Sequence, residues 1–118
     1  MDYRRLAAYS TFELADALVD LGATKEALPY YPRALATFEN LAAAEPKNAQ
    51  YLQDRASVRV HYGAALRKHG EPGKAAGQYR QAVAEMTELA RIRPLNVPAK
   101  EIVAAAQRGL SAIRSREH

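Results

Sequence analysis

The chain has 118 residues, of which 48% are apolar and 25% are charged, which are proportions typical of a folded globular domain rather than of a disordered segment. It contains no cysteine, which excludes disulfides, thiolate nucleophiles and thiolate metal sites and favours a cytoplasmic protein. The net charge of +4 permits attraction to acidic partners, but acidic and basic residues are interleaved, as on a solvated helical surface. No apolar run approaches the ~20 residues of a membrane span, so no membrane partner is expected.

Apolar residues recur at helical spacing over residues 2–21 and predict a first helix with one inward stripe. The stripe consists of Tyr3, Leu6, Ala7, Leu14, Ala17, Leu18 and Leu21. Gly22 is expected to end this helix, because glycine readily adopts the left-handed conformation of a C-terminal cap.

A second helix is predicted to begin near Thr24, whose side chain can cap it, and to end before Pro46. Its inward residues are Ala27, Tyr31, Ala34, Leu35, Phe38, Leu41 and Ala42. Pro29 and Pro32 fall inside this helix, and Pro32 would remove a backbone donor. We therefore expect a kink or a broken turn near residues 29–32, or a helix that begins at Pro32.

Three further helices are predicted, over about 49–69, 72–93 and from 96 onward. Asn48 is a suitable N-cap for the first of them, and Gly70 is expected to end it. Pro72 falls in the first turn of the next helix, where a missing N–H has no cost.

The segment 22–48 returns 48 residues later as 70–96, and placing residues 1–48 over 49–96 gives 13 identities. A fixed period of this length indicates a stack of like units, each too small to bury its own apolar face. We therefore predict an all-α protein, an α-solenoid of two antiparallel helical hairpins and a C-terminal capping helix, five helices in all. It forms a single domain, 1–118, with repeats at 1–48 and 49–96 and the capping helix at 97–118. An up-and-down bundle is the competing architecture and gives no reason for the period.

Both second helices carry the same spacing of small and aromatic residues, namely Ala27, Tyr31 and Ala34, then Ala75, Tyr79 and Ala82. This spacing resembles the second-helix signature of tetratricopeptide repeats. The period exceeds the usual length of about 34 residues, which is consistent with each helix gaining about two turns. The longer form looks like a variant in bacterial multidomain signalling proteins, where such repeats often follow a serine/threonine kinase or NTPase module. The register leaves open a small complete protein or, as it slightly favours, a segment of a longer one.

No motif predicts catalysis, a metal site or a cofactor. His61 and His69 are eight residues apart, roughly 12 Å along one helix, which is too far for them to share a metal. The glycines between Gly70 and Gly77 lack the strand and the Lys-Ser/Thr sequence of a phosphate-binding loop. We therefore expect a non-enzymatic protein without cofactors.

The resemblance implies binding on the concave face that the first helix of each hairpin forms. The expected partner-binding residues are Tyr9, Phe12, Glu13, Asp16, Val60, His61, Arg67, Lys68, Arg108 and Arg116. Apolar anchoring is expected at Tyr9, Phe12 and Val60. An acidic group of a protein or peptide partner would be held by Arg67, Lys68 and Arg108.

Three alternatives remain open from the sequence. Asp16 and Asp20 can instead pair with Arg67 and Lys68 across adjacent helices, which would occupy the basic residues. The chain can also be a basic helical-repeat module that binds nucleic acid, although no basic run exceeds two residues. A homodimer can form through exposed apolar faces of the end helices.

Overall fold

A computed structural model describes residues 3–116 and all of their side chains except that of Arg116. Its helical segments are α1 (Tyr3–Asp20), α2 (Thr24–Ala27), α3 (Tyr30–Ala44), α4 (Ala49–Lys68), α5 (Pro72–Ile92) and α6 (Val97–Arg116). Because α2 and α3 are two parts of one interrupted helix, this part of the chain forms five helices and no strand. The predicted all-α class and helix number are confirmed.

The helices pack in the order of the chain. α1 packs on α2 and α3, α3 on α4, α4 on α5, and α5 on α6. The first helices of the repeats, α1, α4 and α6, also touch side by side. Within the described residues no extensive contact joins α1 to α5 or α6, as the closure of a bundle would require. This nearest-neighbour order is that of stacked helical repeats.

The backbone has the same geometry at helix ends that lie 48 residues apart. Gly22 and Gly70 have φ angles of 85° and 82°, a left-handed conformation that glycine adopts without strain. At both sites the glycine amide donates to the carbonyl three residues earlier at 3.0 Å, and the next amide donates to the carbonyl five residues earlier at 2.8 Å. Asn48 and Asn96 both cap the helix that follows, accepting from the amide three residues on at 3.2 and 2.9 Å.

The second helices contribute a large part of the core. Residues 48 apart are buried in both copies: Ala27 and Ala75, Tyr31 and Tyr79, Ala34 and Ala82, Phe38 and Met86, Leu41 and Leu89. The alanines allow neighbouring helices to approach closely, and the tyrosine rings fill the space between them.

The expected interruption of the second helix lies at Leu28 and Pro29, between α2 and α3. Both residues keep right-handed helical dihedral angles, so the backbone path remains helical. What is missing is the hydrogen-bond donor, because neither Pro29 nor Pro32 has an N–H. The predicted cap at Thr24 is wrong: Ala23 occupies the cap position, and no side chain caps α2.

Most of the predicted inward stripe of α1 is also wrong, since Leu18 alone among its residues packs against the core. Tyr3, Leu14 and Leu21 are exposed, and the residues that α1 buries are Ala8, Phe12 and Ala15. The apolar stripe faces outward because no helix lies on that side of α1 within the described residues. The physical reason for the error is that helical periodicity identifies an apolar face but not the element that covers it.

Candidate functional site

Three adjoining depressions cross the face formed by α1, α4 and α6. One, of about 290 Å³, lies between α1 and α4. The other two, of about 280 and 500 Å³, lie between α4 and α6. The residues that line two depressions each are His61, Ala64 and Lys68, all on α4. We call this continuous feature the groove.

On the α1 side of the groove, Asp16 is held by two side chains from other helices. The Tyr31 hydroxyl of α3 donates to Asp16 Oδ1 at 2.6 Å, and His61 Nδ1 of α4 lies 2.9 Å from Asp16 Oδ2. Burial alone would raise the pKa of Asp16, but the hydrogen bonds from His61 and Tyr31 outweigh it and lower that pKa below its usual value. Burial and the bond to Asp16 raise the pKa of Tyr31, so its hydroxyl stays protonated as a donor.

Aromatic rings pack against the two partners of Asp16, His61 and Tyr31, and fix their positions. The ring of Phe12 meets that of His61 edge to face, with 4.8 Å between their centroids. Tyr31 stacks on Tyr62 of α4 at 5.6 Å. The imidazole of His61, which extends from α4, is therefore held against α1, while almost half of its side chain stays exposed in the groove.

The opposite side of the groove is basic. Arg67 and Lys68 line the largest depression, and Arg108 of α6 lines its neighbour. The expected alternative, in which Asp16 and Asp20 pair with these cations, does not form, since Asp16 instead contacts His61. Among the side chains that the structure describes, none of these three cations makes an ion pair.

The structure does not bring all the expected residues to the groove. The ring of Phe12 is 6% exposed and belongs to the core, so it is corrected from a partner anchor to a packing residue. Tyr9 is half-buried and packs edge to face on Phe12 and Phe38, with the Arg5 guanidinium over its ring. Glu13 is exposed on α1 outside the three depressions. The side chain of Arg116 lies outside the described residues.

Other groove residues were not expected from the sequence. Glu101 and Ile102 of α6 line the groove beside Val60, and Tyr31 reaches it through its hydroxyl. A signal for Tyr31 exists in the sequence, because a buried tyrosine needs a partner for its hydroxyl whereas phenylalanine would fill the same space without one. No comparable signal marks Glu101.

Asp16→Asn should lower the free energy of unfolding at neutral pH. The pKa of Asp16 in the folded state lies below its unfolded value of about 3.9. The ionised carboxylate therefore stabilises the fold above the unfolded pKa, and this stabilisation is lost as pH falls through the folded pKa. Chemical unfolding of the two proteins from pH 7 to pH 2 should therefore show a gap that narrows below about pH 4. A gap that is constant over this range would contradict the ionic role of Asp16.

Comparison with family models, curated proteins and solved structures found no match to the chain. The resemblance to tetratricopeptide repeats therefore rests on the residues alone and stays a prediction. In the part of the chain that the structure describes, no helix is both long and apolar enough to cross a membrane.

Proposed function

We propose that the chain is a non-enzymatic protein interaction module of the tetratricopeptide type, and that its groove binds an acidic peptide segment of a partner protein. The observation that carries this proposal is the set of three cations, Arg67, Lys68 and Arg108, that line the groove without an ion-pair partner among the described side chains. Cations left without partners at a depression are available to a carboxylate or phosphate of a ligand.

The floor of the groove supports a peptide rather than a free anion. Val60 and Ile102 are half-buried and line the depression beside Arg108. Ala64 and Ala112 line the next depression, beside Arg67 and Lys68. Apolar patches next to cations fit a segment that alternates apolar and acidic side chains.

The charges also favour one orientation of the bound segment. Asp16 and Asp20 lie on the α1 side of the groove, whereas Arg67 and Arg108 lie on its α4–α6 side. An acidic group is repelled by the first side and attracted by the second, most strongly at Arg67 and Lys68, because Glu101 lies in the same depression as Arg108. We therefore propose that the acidic part of the partner lies between α4 and α6. The resemblance further suggests a docking or regulatory segment of a larger bacterial signalling protein.

Nucleic acid is the second candidate, and the groove supports it less well. Lys68 shares a depression with the carboxylates of Asp16 and Asp20, and Arg108 shares one with that of Glu101. A polyanion laid along the groove would meet these carboxylates as well as the cations, which reduces the electrostatic attraction on which nucleic acid binding depends.

An array of peptides that vary in acidic and apolar content tests the proposal. We expect the bound peptides to combine acidic with apolar residues. The triple variant Arg67→Ala, Lys68→Ala and Arg108→Ala should bind them at least tenfold more weakly, since hydrogen bonds to charged groups contribute about 1.5–3 kcal/mol each.

The matched control is Lys25→Ala, Lys47→Ala and Arg91→Ala, which removes the same charge from exposed positions outside the groove. It should bind like the unchanged protein. Equal losses in the two triple variants would show attraction to net charge alone and refute the groove. Tight binding of a single-stranded oligonucleotide, with affinity that falls steeply as salt rises, would favour the nucleic acid candidate instead.

A further inference from the structure

The outward face of α1 carries an apolar stripe that nothing covers within the described residues. Tyr3 is 80% exposed and Leu21 is 82% exposed, and Leu6 and Leu14 are each nearly half exposed. Alanines at positions 7 and 17 and Ser10 complete the stripe, and all three are exposed. Large apolar side chains grouped on one helix face mark a surface that binds another element.

The internal repeat shows what covers this face elsewhere in the molecule. Positions 3, 10 and 17 of α1 correspond to buried residues in the other two first helices: Tyr51, Val58 and Ala65 in α4, and Ala99, Ala106 and Ile113 in α6. In α4 these residues join the core with α3, and in α6 they join the core with α5. In both cases the covering element is the second helix of the preceding repeat.

We propose that the α1 stripe is a docking surface for an amphipathic helix of the same type as α3 and α5. The buried positions of α2 and α3 together define its chemistry: a small residue near its start, an aromatic residue four positions on, a small residue three further, then two large apolar residues. These are Ala27, Tyr31, Ala34, Phe38 and Leu41. This surface is separate from the groove, because none of the stripe residues lines the three depressions.

The two ends of the stack differ in this respect. The face of α6 that corresponds to the buried face of α1 carries Arg108 and Ser111, which are exposed. The equivalent positions of α1, Phe12 and Ala15, are buried in the core. These two polar side chains do not continue an apolar stripe, so the proposal concerns the exposed face of α1.

A second copy of the chain fits the stripe less well than a helix of the α3 type. If two α1 helices faced each other antiparallel, the two-fold axis would pass near the middle of the stripe, at residue 12. Glu13, an exposed residue at that level, would then face its own copy, and like charges at close range destabilise a pair. The corresponding stripes of α4 and α6 are covered by the second helix of a repeat, α3 and α5, and not by another first helix.

A tethered helix tests the proposal in the full chain. A copy of residues 24–48 is placed before Met1, so that the copied Asn48 precedes Met1 as Asn48 precedes Ala49. The tether supplies a high effective concentration. Because the chain has no cysteine, Leu14→Cys gives a single thiol on the stripe, and Ala84→Cys gives one on the exposed side of α5. Reaction of each thiol with a maleimide reports its exposure.

The extension should slow the reaction of the thiol in Leu14→Cys at least tenfold and leave that in Ala84→Cys unchanged. The matched extension, with Tyr31→Glu and Phe38→Glu in the copy alone, should give no protection. Equal reactivity of the Leu14→Cys thiol in the unextended chain, the extended chain and the chain with the substituted extension would overturn the proposal. So would a concentration-dependent dimer of the unextended chain, found by sedimentation, in which Leu14→Cys is already protected, since the occupant would then be a second copy. Circular dichroism of each chain establishes that it is folded.

Discussion

Gly109→Ala is expected to lower the free energy of unfolding by about 2 kcal/mol, although alanine is the better helix former. The ring of Tyr79 lies directly over this glycine, and an added Cβ would overlap its Cε2 and Cζ atoms. The ring is 2% exposed and has Gly63 of α4 against it, at 2.8 Å from the position of an added Cβ there. Because the ring is enclosed between α4 and α6, overpacking of about 3 kcal/mol exceeds a propensity gain of about 1 kcal/mol.

Gly77→Ala is the matched control for this prediction, because it makes the same change in α5 where nothing lies within 4 Å of the added Cβ. It should raise the free energy of unfolding by about 0.5–1 kcal/mol. Urea unfolding of the two variants measures both effects. Combining Gly109→Ala with Tyr79→Leu should cost less than the sum of the single changes, since the clash is removed. Equal stability of Gly109→Ala and Gly77→Ala would show that Tyr79 does not pack as described.

Arg59→Ala is expected to cost about 3 kcal/mol, because it removes the centre of a polar cluster between α3, α4 and α5. The Arg59 side chain is 10% exposed. Its guanidinium donates to Gln78 at 3.1 Å and to Gln81 at 2.8 Å, and it forms ion pairs with Glu85 and, at 3.3 Å, with Glu39.

Removal of Arg59 should lower the free energy of unfolding more than removal of a surface ion pair does, because Glu85 is only 13% exposed and loses one of its two arginines. The other, Arg55, limits the penalty to the lower end of the range of about 3–5 kcal/mol for a broken buried pair. Arg59→Lys should recover only part of the loss, since an ammonium cannot reproduce the planar fork.

Arg91→Ala provides the control for Arg59→Ala. Arg91 pairs with Glu88 one turn away on the same helix, and both side chains are more than two-thirds exposed. Its removal should change the free energy of unfolding by less than about 0.5 kcal/mol. If thermal or urea unfolding showed similar losses for Arg59→Ala and Arg91→Ala, the cluster would not hold the three helices together.

Local chemistry made the second helices predictable. Ala27, Tyr31 and Phe38 lie on one broad apolar stripe that packs against two neighbouring helices, so their burial can be inferred from periodicity alone. Gly22 and Asn48 likewise act through the backbone of adjacent residues, and both predictions for them are confirmed. Such signals need no knowledge of distant parts of the chain.

Features that depend on several helices could not be predicted in the same way. Periodicity predicts that the stripe of α1 lies in the core, because an apolar face is normally buried, and the sequence does not show that α1 lacks a neighbour there. The contact of Asp16 with Tyr31 and His61 needs the relative rotation of three helices, which the repeat alone does not fix. The ion pair of the buried Asp54 with Arg5, at 2.8 Å, could not be predicted for the same reason.

Tyr31 connects the scaffold to the groove. Its ring fills the core of the first repeat, and its hydroxyl holds the carboxylate of Asp16 on the α1 side of the groove. The equivalent residue, Tyr79, lies against Gly63 and Gly109 instead. The two repeats therefore use the same aromatic position for packing, and among the described side chains Tyr31 also orients a charged group.

The most direct test of the account is to map the binding site of an acidic peptide, chosen on the array, by amide chemical shifts in the full chain. Binding in the groove predicts that the largest changes lie in α4 between residues 57 and 68 and in α6 between residues 101 and 112. The exposed sides of α3 and α5, for example at Ala36 and Thr87, should not change. Changes centred on those sides, with α4 and α6 unaffected, would contradict the proposal that the groove is the binding site.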